Sequence, residues 1–235
     1  MVTNDSLRHM FSESWPWKRD LGAAADRLSA SRFGLSSKLR LAKEDESDAW
    51  EIETEAVYAV ERDAMTAAFA IRRLIGMPSK VTKSARGTMM KVVRFELNEG
   101  SKVPDIWDAL GSIDVYNLGS PRSTTISANE MCNLFVHSFF FGFAWTLGSL
   151  PWFEYWLLPE DDVRCDQEPT ELAGFLLTTD KSRGQHLSFV SVDELIRVSR
   201  VFANDNAVGV QFHRDKRGRM HATAFGPDEL LAGDD

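Results

Sequence analysis

The sequence predicts an α+β protein. Its N-terminal helical part is built on two long core helices, and its C-terminal part is mainly antiparallel strands with one helix. Three observations predict it. Residues 51–75 keep an apolar period of 3.6, through Val57, Val60, Ala64, Ala68, Ile71 and Ile75. Met131 to Phe153 holds no Asp, Glu, Lys or Arg in a chain that is 26% charged. The last third breaks into short β-rich runs that do not alternate with helices, which favours α+β over alternating α/β.

Taken in order, residues 1–14 are polar and read as a loose N-terminus. Ser14-Trp15-Pro16-Trp17 is a helix start, with Pro tolerated in the first turn. Leu21, Ala24, Ala25 and Leu28 carry that helix to about Ser31. A link follows, ending in the acidic run Lys43 to Asp48. The helix from Glu51 is stopped by Gly76 and Pro78 after Ile75. Met89 to Leu97 alternates as a strand, a short helix is expected over Pro104–Leu110, and Ile113–Leu118 is a second strand. Ser127-Ala128-Asn129-Glu130 is a capping-box pattern. It opens the second core helix, expected over Ala128–Leu147, which is apolar on all sides and so must be enclosed.

Strands are then expected at Trp152–Leu158, Leu172–Thr179 and His186–Ser191. A second Ser-x-x-Glu, Ser191 to Glu194, starts a helix to about Ala203. Val208–Arg214 and Arg219–Phe225 form a hairpin across Asp215-Lys216-Arg217-Gly218, where Gly supplies the positive φ of the turn. The division is therefore 1–14, a mainly helical part at 15–150, a mainly β part at 151–226 packed on it as one unit, and an acidic tail at 227–235.

The uncharged stretch is long enough to span a bilayer, since about 20 apolar residues suffice. Its polar residues, its break at Gly148-Ser149-Leu150-Pro151 and its acidic flanks argue instead for a buried helix, so no membrane is expected. A net charge of −8 and a pI near 5.2 weigh against a general nucleic-acid-coating role. Two cysteines, Cys132 and Cys165, make no disulfide framework. With no secretory h-region at the N-terminus, this points to the cytoplasm.

Within the apolar stretch, Glu130, Asn133 and His137 lie at i, i+3 and i+7 on one helix face. The chemical reading makes His137 an acid or base, Asn133 its orienting group and Glu130 the group that sets the imidazole tautomer. The structural reading, which is preferred, makes Asn133 and His137 a satisfied polar pair inside the core. No metal is expected: the five histidines show no HxxxH or HExxH spacing, and there is no CxxC. Phosphate loops, dinucleotide fingerprints and the Gly-x-Ser-x-Gly elbow are also missing, so no cofactor is expected.

Charge is uneven. Between Ala64 and Phe95 there is no acidic residue, yet Arg72, Arg73, Lys80, Lys83, Arg86, Lys91 and Arg94 occur. The hairpin adds Arg214, Lys216, Arg217 and Arg219 around Asp215. Lys80, Lys83, Arg86 and the four hairpin cations are the candidate binding residues. Seven tryptophans add candidate interface anchors, Trp15 and Trp17 among them. The sequence thus predicts a non-enzymatic cytoplasmic interaction protein, a subunit of a larger assembly with a protein partner or a second copy. The rival prediction is an enzyme acting on nucleic acid or a nucleotide, using residues 72–94 and 214–219 with a histidine acid/base.

Overall fold

Two apolar stripes build the helical part. In the computed structural model, which describes residues 14–44, 49–105, 113–159 and 161–227, α1 (Trp15–Glu44) buries Leu21, Ala24, Ala25, Leu28 and Leu35. It runs well past the expected end near Ser31. The serines that read as a link are absorbed instead. Ser36 Oγ reaches the carbonyls of Phe33 and Thr170 at 2.9 Å each, and Ser37 Oγ reaches Phe33 O at 3.3 Å. Such bonds to a preceding carbonyl let Ser sit inside a helix.

α2 (Ala49–Ile75) folds back along α1 and presents Val60, Ala64, Ala67, Ala68, Ile71 and Leu74 to the core. Its alanines permit close approach. Arg27 of α1 forks onto Asp63 of α2 at 2.7–3.0 Å, which satisfies a carboxylate that is 5% exposed. The helix expected over 104–110 lies largely outside the described residues, as do the N-terminus and the tail after Pro227.

After α2 come a single turn, α3 (Lys83–Arg86), and β1 (Met89–Glu96). Ile113–Leu118 is not a strand. It runs as turns, with one isolated bridge from Tyr116 to Leu97, while Ile113, Tyr116 and Leu118 bury their side chains. A strand that the sequence hides, β2 (Arg122–Ser127), pairs antiparallel with β1.

Ser127 then caps α4 (Ala128–Val136) in a complete capping box with Glu130. Here the prediction of one long helix over Ala128–Leu147 fails. α4 stops after nine residues, His137 caps its C-terminus, and the chain continues as β3 (Ser138–Leu147). The reason is twofold. Phe and Trp favour a strand, and β4 offers β3 a partner along its whole length. β3 meets apolar neighbours on both faces, with only Ala144 fully buried: Phe141, Phe143 and Trp145 pack on one core cluster, Phe140 and Ala144 on another. A strand enclosed on both faces is continuously apolar and loses its alternation.

The strand expected at Trp152–Leu158 is also corrected, to the short helix α5 (Trp152–Trp156). Pro151 begins that helix rather than excluding one. A 3₁₀ turn (Val163–Asp166) leads to β4 (Pro169–Thr179), β5 (His186–Ser191), α6 (Val192–Ala203) and the hairpin β6 (Gly209–Arg214) and β7 (Met220–Phe225).

The two long N-terminal helices pack together, and the main sheet is antiparallel in the order β2-β1-β5-β4-β3. One sheet face carries α4, α6 and part of α1, with Phe135, Phe175, Leu177, Val190, Leu195 and Phe202 between the layers. The opposite face is closed by α5 and the 113–118 turns around Phe95, Trp152, Leu176 and Leu187. Phe95 and Trp152 meet edge to face at 5.2 Å. At Gly174 the backbone of β5 comes so close that an added Cβ would lie 2.3 Å from the carbonyl oxygen of Val190.

β5 is shorter than β1, and α6 completes the ladder. The Lys91 N–H donates to Glu194 at 3.0 Å, Arg197 donates to the carbonyl of Met89 at 2.7 Å, and the two side chains bond each other at 2.8–2.9 Å. Arg197 first, and then the Lys91 amide, hold the Glu194 carboxyl below its ordinary range. The contribution of this group is full above the unfolded value near ~4.3. It fades as pH falls through the lower folded value. Glu194→Gln is expected to cost about 1–2 kcal/mol at pH 7. The deficit should shrink at pH 3.5, as read by urea denaturation at both pH values. An equal deficit at the two would show that the charge is not what matters.

Candidate functional site

Three elements build the first candidate. The last turn of α2 carries Arg72 and Arg73, where cations suit the C-terminal end of the helix dipole. α4 packs on α2 and delivers Asn133 and, at its C-cap, His137. The turn between β4 and β5 supplies Thr179, Asp180 and Lys181. Together Arg72, Asn133, His137, Thr179, Asp180 and Lys181 line an open cleft of about 530 Å³.

His137 is exposed and Asn133 half-buried, so the pair is not sealed in the core. The helix ends where a core helix was expected to continue, which leaves its last turn at the surface. The bond within the pair runs through the backbone, from the His137 N–H to the Asn133 carbonyl at 3.0 Å. The partner of the imidazole is one the sequence does not suggest: Arg72 Nη1 lies 3.2 Å from His137 Nε2. Guanidinium has no acceptor, so Nε2 accepts and the ring proton sits on Nδ1.

Glu130 does not join them. Its carboxylate takes the Ser127 N–H and hydroxyl, both at 2.8 Å, and these bonds hold its acidity below the usual carboxylate range. The β4–β5 turn is rigidly tied. Thr179 and Ser182 exchange hydroxyl and amide bonds at 2.9–3.2 Å, and Asp180 leans toward Arg183 at 3.8 Å. Among the described residues no carboxylate pairs with Arg72 or Lys181.

Cys132, behind the cleft, is buried, which pushes its thiol up to about 12; it is a packing residue and not a nucleophile. Among the described residues no group of three His, Cys, Asp or Glu could hold a metal ion. None of their helices is long and apolar enough to cross a membrane.

The second candidate is the β6–β7 hairpin. Its root is anchored: Thr82 bridges to Ala224, and the Ala224 N–H donates to Pro78 O at 2.9 Å. Beyond the root nearly every residue is exposed, including Arg214, Lys216, Arg217 and Arg219. Gly218, at φ +77°, makes the turn. Asp215 organises it, accepting from the Arg217 and Arg219 amides at 2.9 Å each, from Arg219 Nε at 3.0 Å and from His221 at 3.2 Å. The Arg219 amide first, and then His221, lower Asp215 to about 2. His213 and His221 are register partners whose rings stack at 5.2 Å.

The remaining candidate binding residues divide. Lys83 is exposed and Arg86 half-buried on α3, beside the hairpin root, whereas Lys80 is 7% exposed and withdrawn from the surface. The hairpin tip stands on the order of 15 Å beyond Ala224, at ~3.4 Å per strand residue. No family model, curated protein or solved structure matches this chain.

Proposed function

We propose that the chain is a non-enzymatic interaction protein, a cytoplasmic subunit of a protein assembly, with the β6–β7 hairpin as its docking arm. The observation that carries this reading is the exposure of the hairpin. A two-stranded ribbon without a packing layer is marginal in water. This one also leaves Val208, Phe212 and Met220 42%, 42% and 55% exposed beside its cations. Lys216 and Arg217 have no carboxylate partner among the described residues. Cations around exposed apolar side chains fit an acidic protein surface with an apolar centre. A net charge of −8 weighs against nucleic acid as the general partner.

The test is a charge reversal that spares the turn. Lys216→Glu with Arg217→Glu leaves Asp215, Arg219 and His221 in place, so the melting temperature should stay put. Affinity for a partner captured by the full chain and then purified should fall by about tenfold or more, with the loss mainly in the association rate at low salt. Unchanged affinity, or a strict monomer that retains no partner, would overturn the reading.

The second reading, an enzyme acting on nucleic acid or a nucleotide, rests on the contact between Arg72 and His137. It requires binding that weakens steeply with salt, together with turnover that disappears in a folded His137→Asn variant.

A further inference from the structure

The cleft between α2, α4 and the β4–β5 turn is a donor-rich pocket. Independently of the role of the hairpin, we infer that it binds a small phosphate-bearing molecule. Four of the six residues that line it, Arg72, Asn133, His137 and Lys181, can donate to a ligand. Arg72 keeps most of its fork after meeting His137, whose Nδ1–H remains; Asn133 offers its amide; Lys181, on the β4–β5 turn, adds an ammonium. Asp180 brings one exposed carboxylate to the lining, 3.8 Å from Arg183, and the Thr179 hydroxyl is engaged by Ser182.

The contact between Arg72 and His137 is the informative part. A guanidinium is usually matched by a carboxylate, whose two oxygens fit its fork. This one meets an imidazole nitrogen, on an exposed rim, in a cleft that Lys181 also lines. An anion seated in the cleft would be within reach of donors from all three elements. A phosphate group presents three terminal oxygens, one for each of the three elements that line the cleft, whereas a carboxylate has two. A volume of about 530 Å³ also accommodates the rest of a small ligand, being within the usual range of ligand sites, roughly 300–1,000 Å³.

The probes are inorganic phosphate and adenosine monophosphate, with acetate as the carboxylate control. Each is titrated into the full chain at low ionic strength by calorimetry, with ³¹P line broadening as a second readout. Saturable one-to-one binding of at least one phosphate probe is expected, tighter than acetate. Arg72→Gln should weaken it about tenfold or more, as loss of a charge-assisted fork does. Lys181→Gln lies in an exposed turn and folds whatever Arg72→Gln does; it should weaken binding by roughly threefold or more. Lys38→Gln, exposed on α1 and not among the residues lining the cleft, should leave binding unchanged. No saturable binding of either phosphate probe by the folded protein overturns the inference. So does binding that Lys181→Gln leaves intact, or acetate binding as tight as phosphate. None of these outcomes bears on hairpin docking, which the charge reversal at Lys216 and Arg217 tests separately.

Discussion

Asp205→Ala is expected to lower the unfolding free energy by about 3–5 kcal/mol, the usual cost of removing one partner from a buried ion pair. Asp205 follows α6, and its side chain is 5% exposed. It receives Lys18 Nζ from α1 at 3.0 Å, and the Thr82 hydroxyl and amide at 2.6 and 3.2 Å. Lys18, itself 11% exposed, also donates to the carbonyls of Asp205 and Lys80. Truncation leaves an ammonium enclosed without its counter-charge. Asp205→Asn keeps part of the hydrogen bonding and should cost less. Adding Lys18→Met to Asp205→Ala should recover part of the loss, because an apolar replacement of a whole buried pair is often tolerated. Urea denaturation of the four proteins decides. A loss below about 1 kcal/mol for Asp205→Ala would mean that the network is solvated like a surface pair. Thr82 also carries the bridge to Ala224, so the same variant should speed amide exchange at the hairpin root.

Phe175→Ala should cost a similar amount, about 3–5 kcal/mol. Phe175 lies in β4 with no exposed surface, and its ring meets Phe135, Phe141 and Phe143 at 5.6–5.8 Å. Its loss opens a cavity between β4, β3 and α4. Phe139→Ala is the contrast. That ring is half-buried and lies under the Arg183 guanidinium at 4.2 Å, so its truncation should cost nearer ~1 kcal/mol. The two variants differ in side-chain burial and not in chemistry. Equal losses in chemical denaturation would show that the β3–β4 interface is not packed as described.

What could be read in the sequence was what is encoded locally. α2, β1, β5, α6 and the hairpin carry their own periodicity and stops, and Ser127 with Glu130 forms the capping box that its spacing implies. The uncharged stretch misled because a run with no polar face has no period, and helix and enclosed strand then look alike. β2 reads RSTTIS, too polar to suggest a strand; β1 makes it one. At the cleft, Asn133 and His137 stood out as polar residues in apolar surroundings. Arg72, sixty-five residues before His137, and Lys181, in a turn with no motif, are brought there only by the packing of α2 on α4 and of β3 on β4.

The strand order has a consequence for synthesis. β1 and β2 can pair as soon as Ser127 has left the ribosome, but the inner edge of β1 belongs to β5. β5 begins on the order of sixty residues after Ser127, a delay of roughly 3–12 s at ~5–20 residues per second. Throughout that interval the nascent chain displays an unpaired strand edge beside the apolar side chains of Met90, Val92 and Phe95. Translation that stalls before His186 therefore releases a chain whose sheet has no centre, a natural client for chaperones and a ready target for proteases.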